Sequence, residues 1–266
     1  MATMISKPTA NVLIELDGAL AYLTLNRPEK RNALSLQTMQ ELLAGLRQIG
    51  TDPEIKVVIL RAKGTVFSAG HDLSEMVDRE LDAYQHLFDV CVEMMEKIQS
   101  VPQPVIAAVQ GPATAAGCQL VATCDLAVAA DTAWFATPGV KIGLFCSTPM
   151  VAVSRSIGRK RTMEMLLTGD PMPASEAKSA GLVNAVVPAD QLESAARELA
   201  EKITAMSPTI VSLGKEAFYR QIDLSQHEAY EYTAEVMALN AKLADAHEGI
   251  TAFLEKRKPQ WGKRGA

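Results

Sequence analysis

The chain opens on two short runs rich in strand-forming residues, 11–16 and 19–25, separated by Asp17-Gly18, a pair suited to a tight hairpin turn. Past a loop over 26–32 the spacing changes. Leu36, Met39, Leu42, Leu43, Leu46 and Ile49 step by three or four behind the capping residue Ser35, which predicts a helix over 36–49 with one apolar face. Val57-Val58-Ile59-Leu60 is a continuous apolar run of strand length, as expected of a buried strand, and it ends in a small-residue loop at 67–73. Leu81, Tyr84, Leu87, Phe88, Cys91, Met94 and Ile98 mark a second helix, closed by Pro102 and Pro104. A strand at 105–109 runs into GPATAAG at 111–117 and a helix carrying Gln119, Leu120 and Val121.

Residues 125–129 read as a further strand, and beyond Thr137-Pro138-Gly139 the chain becomes mainly helical, with strand potential again at 183–187. Helices near 208–220, 225–239 and 242–256 lack an intervening strand and are expected to form an appended layer. The expectation is an α/β core over 1–206 in which β-β-α units recur, followed by a helical region over 207–266.

Composition removes several alternatives. With 266 residues, 48% of them hydrophobic, the chain has enough apolar surface for a full core, so disorder is excluded. A net charge of −5, with basic residues scattered apart from Lys256-Arg257-Lys258 and Lys263-Arg264, offers no basic field for nucleic acid. Cys91, Cys118, Cys124 and Cys146 lack the paired spacing of a zinc site and read as reduced thiols, so no metal is expected. The first ten residues show neither a secretory signal nor a clear organellar presequence, and no apolar run reaches the roughly 18 residues of a membrane span. A soluble, cytoplasmic protein without a membrane span is therefore expected.

Candidate chemistry lies in the two loops that follow strands. Both are built from small residues, which let a ligand approach the backbone closely. Amides at the start of a helix have no intrahelical partner, so those near Ala116, and those near His71 in the short turn beyond the first loop, are free to point at an anion. Such a pair makes an oxyanion hole; the plainer alternative is two tight turns.

The strings LNRPEKRNALS at 25–35, FSAGHDLSEM at 67–76, PVIAAVQGPATAAGCQLVATCDLAVAA at 104–130 and TPGVKIGL at 137–144 together resemble the enoyl-CoA hydratase/isomerase, or crotonase, family over nearly the whole chain. GHDL, ATAAGCQL, ATPGV, GLFCSTP and EGITAFLEKRKP narrow the resemblance to one branch of it. The resemblance implies a crotonase (ClpP-like) spiral of ββα units and a C-terminal helical region that forms a homotrimer, often a dimer of trimers. It implies a coenzyme A thioester as substrate or ligand, with no permanently bound cofactor. Its two oxyanion-hole positions fall on His71 and Ala116, which act through backbone N–H groups. Ala116 stands where glycine is usual, which raises the question of its backbone angles. The coenzyme A contacts fall on Lys30 and Arg31, on Ala69 and Asp72 around the adenine through their backbones, and on Phe253 and Lys256, which close the nucleotide pocket, often from a neighbouring subunit.

One departure bears on the reaction. Hydratases of the family place two glutamates where this chain has Gln119 and Gly139, and neither can serve as an acid or base. Gln119 is left with hydrogen-bonding a water or acyl group, or satisfying a buried neighbour. Glu75 is an alternative base, or else a capping residue. Cys146 lines the acyl pocket or is a plain buried thiol; His71 supplies a base only with its imidazole turned inward. His86, His227 and His247 lie in helical patterns, and Glu93, Glu96 and Glu164 read as surface charges. Two functions stay open: an enzyme stabilising an enolate of acyl-CoA, and a non-catalytic acyl-CoA-binding protein.

Overall fold

A computed structural model describes residues 3–7 and 9–264. The core begins with strands β1 (Thr3–Met4), β2 (Val12–Asp17) and β3 (Leu20–Leu25), followed by helix α1 (Leu36–Thr51), β4 (Val57–Ala62), α2 (Leu81–Ser100) and β5 (Val105–Val109). Then come β6 (Ala113–Thr114), α3 (Ala116–Thr123), β7 (Leu126–Ala130), β8 (Trp134–Ala136), α4 (Ser147–Ser156), α5 (Arg159–Thr168) and β9 (Met172–Pro173). The chain closes through α6 (Ala174–Ala180), β10 (Ala185–Val187), α7 (Leu192–Thr204), α8 (Pro208–Gln221), α9 (Gln226–Asn240) and α10 (Ala244–Leu254). One seven-stranded sheet has the order β1-β2-β3-β4-β5-β7-β10, and β6-β8-β9 form a second, small one.

The large sheet is antiparallel at the opening hairpin and parallel from β3 onward. Parallel strands buried on both faces read as unbroken apolar runs, as β4 and β5 do. Their period-two alternation still sorts the core. Leu23, Val58, Leu60, Val105 and Ala107 join the cluster that takes in Met39 and Leu42 of α1 and Met94 of α2. Tyr22, Val57, Ile59, Ile106 and Val128 face the opposite way, with Leu192, Ala196 and Ala200 of α7.

Boundaries follow local chemistry. The Ser35 hydroxyl accepts from the Thr38 N–H and opens α1, and Ser225 with Glu228 forms a capping box at α9. Strands β1, β6, β8 and β9 were not anticipated. They are two or three residues long, too short for any period to show, and exist because a neighbouring strand supplies partners.

A buried ion pair docks α8 at the N-terminal end of the parallel strands. Lys215 Nζ donates to Asp125 Oδ2 at 2.6 Å and to the carbonyls of Ile98 and Gln103 at 2.8 and 2.9 Å. Asp125 also accepts from the Val105 N–H at 2.6 Å and the Tyr219 hydroxyl at 2.9 Å. Burial pulls the Lys215 pKa below its ordinary value, and Asp125 opposes that shift. Removing one partner leaves an uncompensated buried charge. Asp125→Ala is expected to lower the urea-unfolding free energy by about 3–5 kcal/mol, with much of the loss recovered in Asp125→Ala/Lys215→Met.

Candidate active site

β4 and β5 are parallel neighbours, with Ile59 opposite Ile106, so the segments that follow them leave the same end of the sheet. Such strand ends are where α/β folds bind ligands. The two segments are joined directly. Ser68 bridges Ala113, the Thr114 N–H donates to the Ser68 carbonyl at 2.9 Å, and the Phe67 N–H donates to the Pro112 carbonyl at 3.0 Å. Two glycines allow the approach: a Cβ on Gly117 would stand 2.3 Å from the Ser68 oxygen, and one on Gly70 would stand 2.9 Å from Ala115 Cβ and 3.3 Å from Ala116 N. Gly70 also has φ +91°, a region open to glycine.

Register decides which amides stay free. The Leu34 N–H donates to the Gly70 carbonyl at 2.7 Å and the Asp72 N–H to the Leu34 carbonyl at 3.3 Å. This parallel bridge uses the peptide groups on either side of His71 and leaves its own N–H facing away from Leu34. Ala116 is the first residue of α3, and its N–H has no partner within the helix. Among the described residues neither N–H donates a hydrogen bond to the protein, and both residues line one cavity of about 610 Å³.

Backbone strain sits one residue before the position that raised the question. Ala115, not Ala116, has φ 50° and ψ −118°. Its N–H donates to the Ala136 carbonyl at 2.9 Å, so the turn at Ala115 separates an amide bound to the small sheet from the free amide at the cavity.

The cavity wall is mainly apolar, including Leu73, Met76, Phe88, Ile142, Leu144 and Phe145. Among the described residues that line it none is Asp or Glu, and the titratable ones are His71, Lys141 and Cys146. Lys141 Nζ pairs with Asp170 at 2.8 Å. Burial pushes the Cys146 thiol up, against a smaller effect of the Gly139 backbone, so the thiol is protonated rather than a ready nucleophile. All four cysteines are free, and burial raises Cys91 and Cys118 to about 12.

The expected coenzyme A positions are not equally placed. Lys30 and Arg31 are exposed on the turn beside the first loop, and the Arg31 carbonyl accepts from the Ala69 N–H at 3.0 Å. That contact and the Leu34 bond occupy the amides of Ala69 and Asp72, while the Asp72 carbonyl accepts from Glu75. The backbone groups left for the expected contacts are therefore carbonyls, that of Ala69 and, through its second lone pair, that of Asp72. The Asp72 carboxylate accepts from Ser74 and pairs with Arg27 at 3.3 Å, and both hold its pKa below the usual range, Ser74 more strongly. Phe253, 82% exposed, and Lys256 lie at the end of α10, and neither lines the cavity: a single copy of the chain does not bring them to it.

The two positions expected to carry glutamates differ as well. Gln119 is buried with its amide oxygen unpartnered and is not among the lining residues. Gly139 lines the cavity, but a Cβ there would stand 2.8 Å from the Leu144 oxygen and 2.9 Å from Cys146 Sγ. A glutamate at 139 has no room unless the segment over 144–146 moves. Glu75 is engaged elsewhere: its Oε2 accepts from the Leu36 N–H at 2.7 Å and caps α1. His86, His227 and His247 are exposed, as are Glu93, Glu96 and Glu164.

Sequence reasoning passed over Asn32 and Gln110. The Asn32 side chain accepts from the Arg27 N–H at 2.9 Å and donates to the carbonyls of Lys63 and Val66 at 2.8 and 2.7 Å. Gln110 Nε2 donates to the carbonyls of Ala62, Gly64 and Val66. Together they fix the path from β4 into the first loop. A polar residue in a loop carries no sequence signal that most of its partners are backbone groups some 30 to 50 residues away.

The profile of the enoyl-CoA hydratase/isomerase family matches residues 15–264. Human enoyl-CoA hydratase domain-containing protein 3, mitochondrial, is 46% identical over 96% of this chain and 84% of its own length. The crystal structure of that human protein has a TM-score of 0.92, covering 94% of this chain and 100% of that one at 45% identity. An enoyl-CoA hydratase from Mycobacterium smegmatis has a TM-score of 0.93 at 46% identity, covering 94% and 98%. These similarities overturn the expected cytoplasmic location, since the human relative and those of the same name in Xenopus laevis, Mus musculus and Danio rerio are named mitochondrial. The physical reason is plain: reduced thiols suit any reducing compartment, and a fold does not encode an address.

Two substitutions test this geometry. Glycine suits the φ and ψ of Ala115, so Ala115→Gly is expected to raise thermal stability by about 1 kcal/mol, the strain relieved exceeding the added unfolded-state entropy. Glu75→Ala is expected to cost about 1 kcal/mol in chemical denaturation by uncapping α1, while leaving ligand affinity at the cavity unchanged; a loss of affinity would place Glu75 in the site.

Proposed function

Because this chain belongs to the enoyl-CoA hydratase/isomerase family, we propose that it binds an acyl-CoA thioester with the carbonyl oxygen between the N–H groups of His71 and Ala116. The observation that carries this reading is the pair of unbonded amides, from two turns in contact, on one apolar cavity. Charge developing on a thioester oxygen during addition or enolisation would meet donors already in place. Beside mainly apolar walls such donors act more strongly than in bulk water, and removal of one typically costs ~10²–10³ in rate. The acyl chain lies along Met76, Phe88, Leu144 and Phe145, and the coenzyme A phosphates run toward Lys30 and Arg31, whose exposed cations suit them. No permanent cofactor takes part.

The reaction is of the enoyl-CoA type, with weak hydration. Adding water across a 2-enoyl thioester needs one group to deprotonate water and another to protonate the α-carbon, and each such role is worth about 10²–10⁴ in rate. The absence of a lining carboxylate also favours a second reading, an acyl-CoA-binding protein that turns nothing over.

The region over 207–266 serves assembly into a homotrimer or a dimer of trimers. Tyr230, Met237 and Leu239 of α9 and Ile250, Phe253 and Leu254 of α10 are large apolar side chains left more than half exposed on one copy. In an assembly Phe253 and Lys256 would reach a neighbour's nucleotide pocket. Among the described residues no helix is long and apolar enough to cross a membrane, so a membrane span does not explain this surface.

Titration calorimetry with octanoyl-CoA is expected to show saturable binding, and its absence would remove the thioester reading. Hydration of crotonyl-CoA, followed by loss of the conjugated absorbance, is expected to run about 10⁴-fold or more below that of relatives carrying both glutamates. Light scattering is expected to show a trimer or hexamer, which Phe253→Asp/Leu254→Asp shifts toward monomer.

A further inference from the structure

Gly139 lines the cavity without a side chain, and backbone conformation is not the reason. Its φ lies outside the left-handed region, so alanine would suit its dihedral; what a Cβ lacks there is room. The Leu144 carbonyl oxygen and Cys146 Sγ stand 2.8 and 2.9 Å from where that Cβ would be. The Leu144 N–H also donates to the Gly139 carbonyl at 3.0 Å, so both backbone groups of Leu144 are applied to Gly139. Folded back in this way, the segment over 144–146 brings Leu144 and Phe145, each 45% exposed, into the cavity wall.

The two sides of this contact differ in freedom. Residues Pro138–Ile142 form a short 3-10 turn packed against the end of α5, where a Cβ on Gly169 would stand 2.9 Å from Pro138 Cα and Lys141 pairs with Asp170 at 2.8 Å. Ahead of the turn lies β8, whose Ala136 carbonyl accepts from the Ala115 N–H at 2.9 Å, beside the free Ala116 amide. Residue 139 is thereby held in place relative to that amide. Leu144 and Phe145 are only half-buried, so a side chain at 139 would displace them and leave the turn where it is.

We propose that Gly139 is a specificity-determining residue: by leaving room for the segment over 144–146 it builds the wall along which a medium- or long-chain acyl group lies. The inference rests on the thioester-binding reading and names the class of acyl group that the same site takes. A thioester oxygen at the amide pair leaves two directions for the ligand, and the chemistry of the surroundings sorts them. Lys30 and Arg31, exposed beside the first loop, suit phosphates, whereas Phe88, Leu144 and Phe145 suit only a hydrocarbon. Leu73 and Ile142, 50% and 59% exposed, extend the apolar lining to the rim. A short acyl group leaves that rim in water. A longer one covers it, and each methylene fully buried is worth about fourfold in affinity.

Titration calorimetry of the full-length protein with butyryl-CoA and octanoyl-CoA, saturated esters that cannot be hydrated, tests this. The wild type is expected to bind octanoyl-CoA about 10²-fold more tightly, the added methylenes being partly buried. Gly139→Ala is expected to cut that ratio by about tenfold, through weaker binding of the longer ester. Phe145→Ala, which truncates a half-exposed side chain, is expected to cut it by about as much, and decides where Gly139→Ala fails to fold. General loosening of the protein would weaken both esters by the same factor, and that result overturns the role of Gly139. So does a wild-type ratio near one. A ratio unmoved in Phe145→Ala, together with a changed assembly state by light scattering, assigns the wall to contact between copies and overturns it as well. A wild type that binds neither ester instead overturns the thioester reading beneath it.

Discussion

The contact between the Ser68 carbonyl and the opening of α3 governs the site. That oxygen accepts from the Thr114 N–H and lies where any side chain on Gly117 would have to stand. With a Cβ at 117 the two strand-end turns would have to separate, and the cavity that needs both would lose its shape. Gly70 makes the matching approach from the other turn, against Ala115 and Ala116. Two turns distant in sequence thus behave as one rigid piece, and a rigid piece can hold donors in place for a charge that exists only transiently.

The free amides are a consequence of register more than of the side chains that carry them. At His71 the parallel bridge to Leu34 spends the neighbouring peptide groups; at Ala116 the helix start has no carbonyl to offer. The chain accepts strain at Ala115 to join these arrangements, as functional turns often do. Around the amides, apolar side chains lower the local dielectric and strengthen whatever polar contact a ligand makes. The same apolarity keeps the Cys146 thiol protonated and the His71 ring neutral.

The two ends of the parallel sheet divide the work. The C-terminal ends of β4 and β5 carry the cavity, while the N-terminal ends of β5 and β7 carry the buried Lys215–Asp125 pair that ties α8 to the core. Polar groups that satisfy each other completely hold helices in place, as the Lys215–Asp125 pair does for α8. Beyond α8, Tyr230, Met237 and Leu239 of α9 and Ile250, Phe253 and Leu254 of α10 stay more than half exposed on one copy.

Local periodicity was sufficient for the longer elements. The spacing from Leu36 to Ile49 and from Leu81 to Ile98 marks α1 and α2, and the apolar runs at 57–60 and 105–109 mark β4 and β5, because burial of one face or two leaves its own period in the residues. The small residues of GPATAAG and FSAGHD likewise marked where a backbone is open to approach. Sequence could not tell that Glu75 reaches back to cap α1, that Gly139 is walled in by Leu144 and Cys146, or that the strain falls on Ala115. Nor could it orient the His71 ring. Each of these depends on atoms contributed by a segment remote in the chain or on a single backbone dihedral, and neither has a period to read; they were settled only when the sheet register brought the segments together.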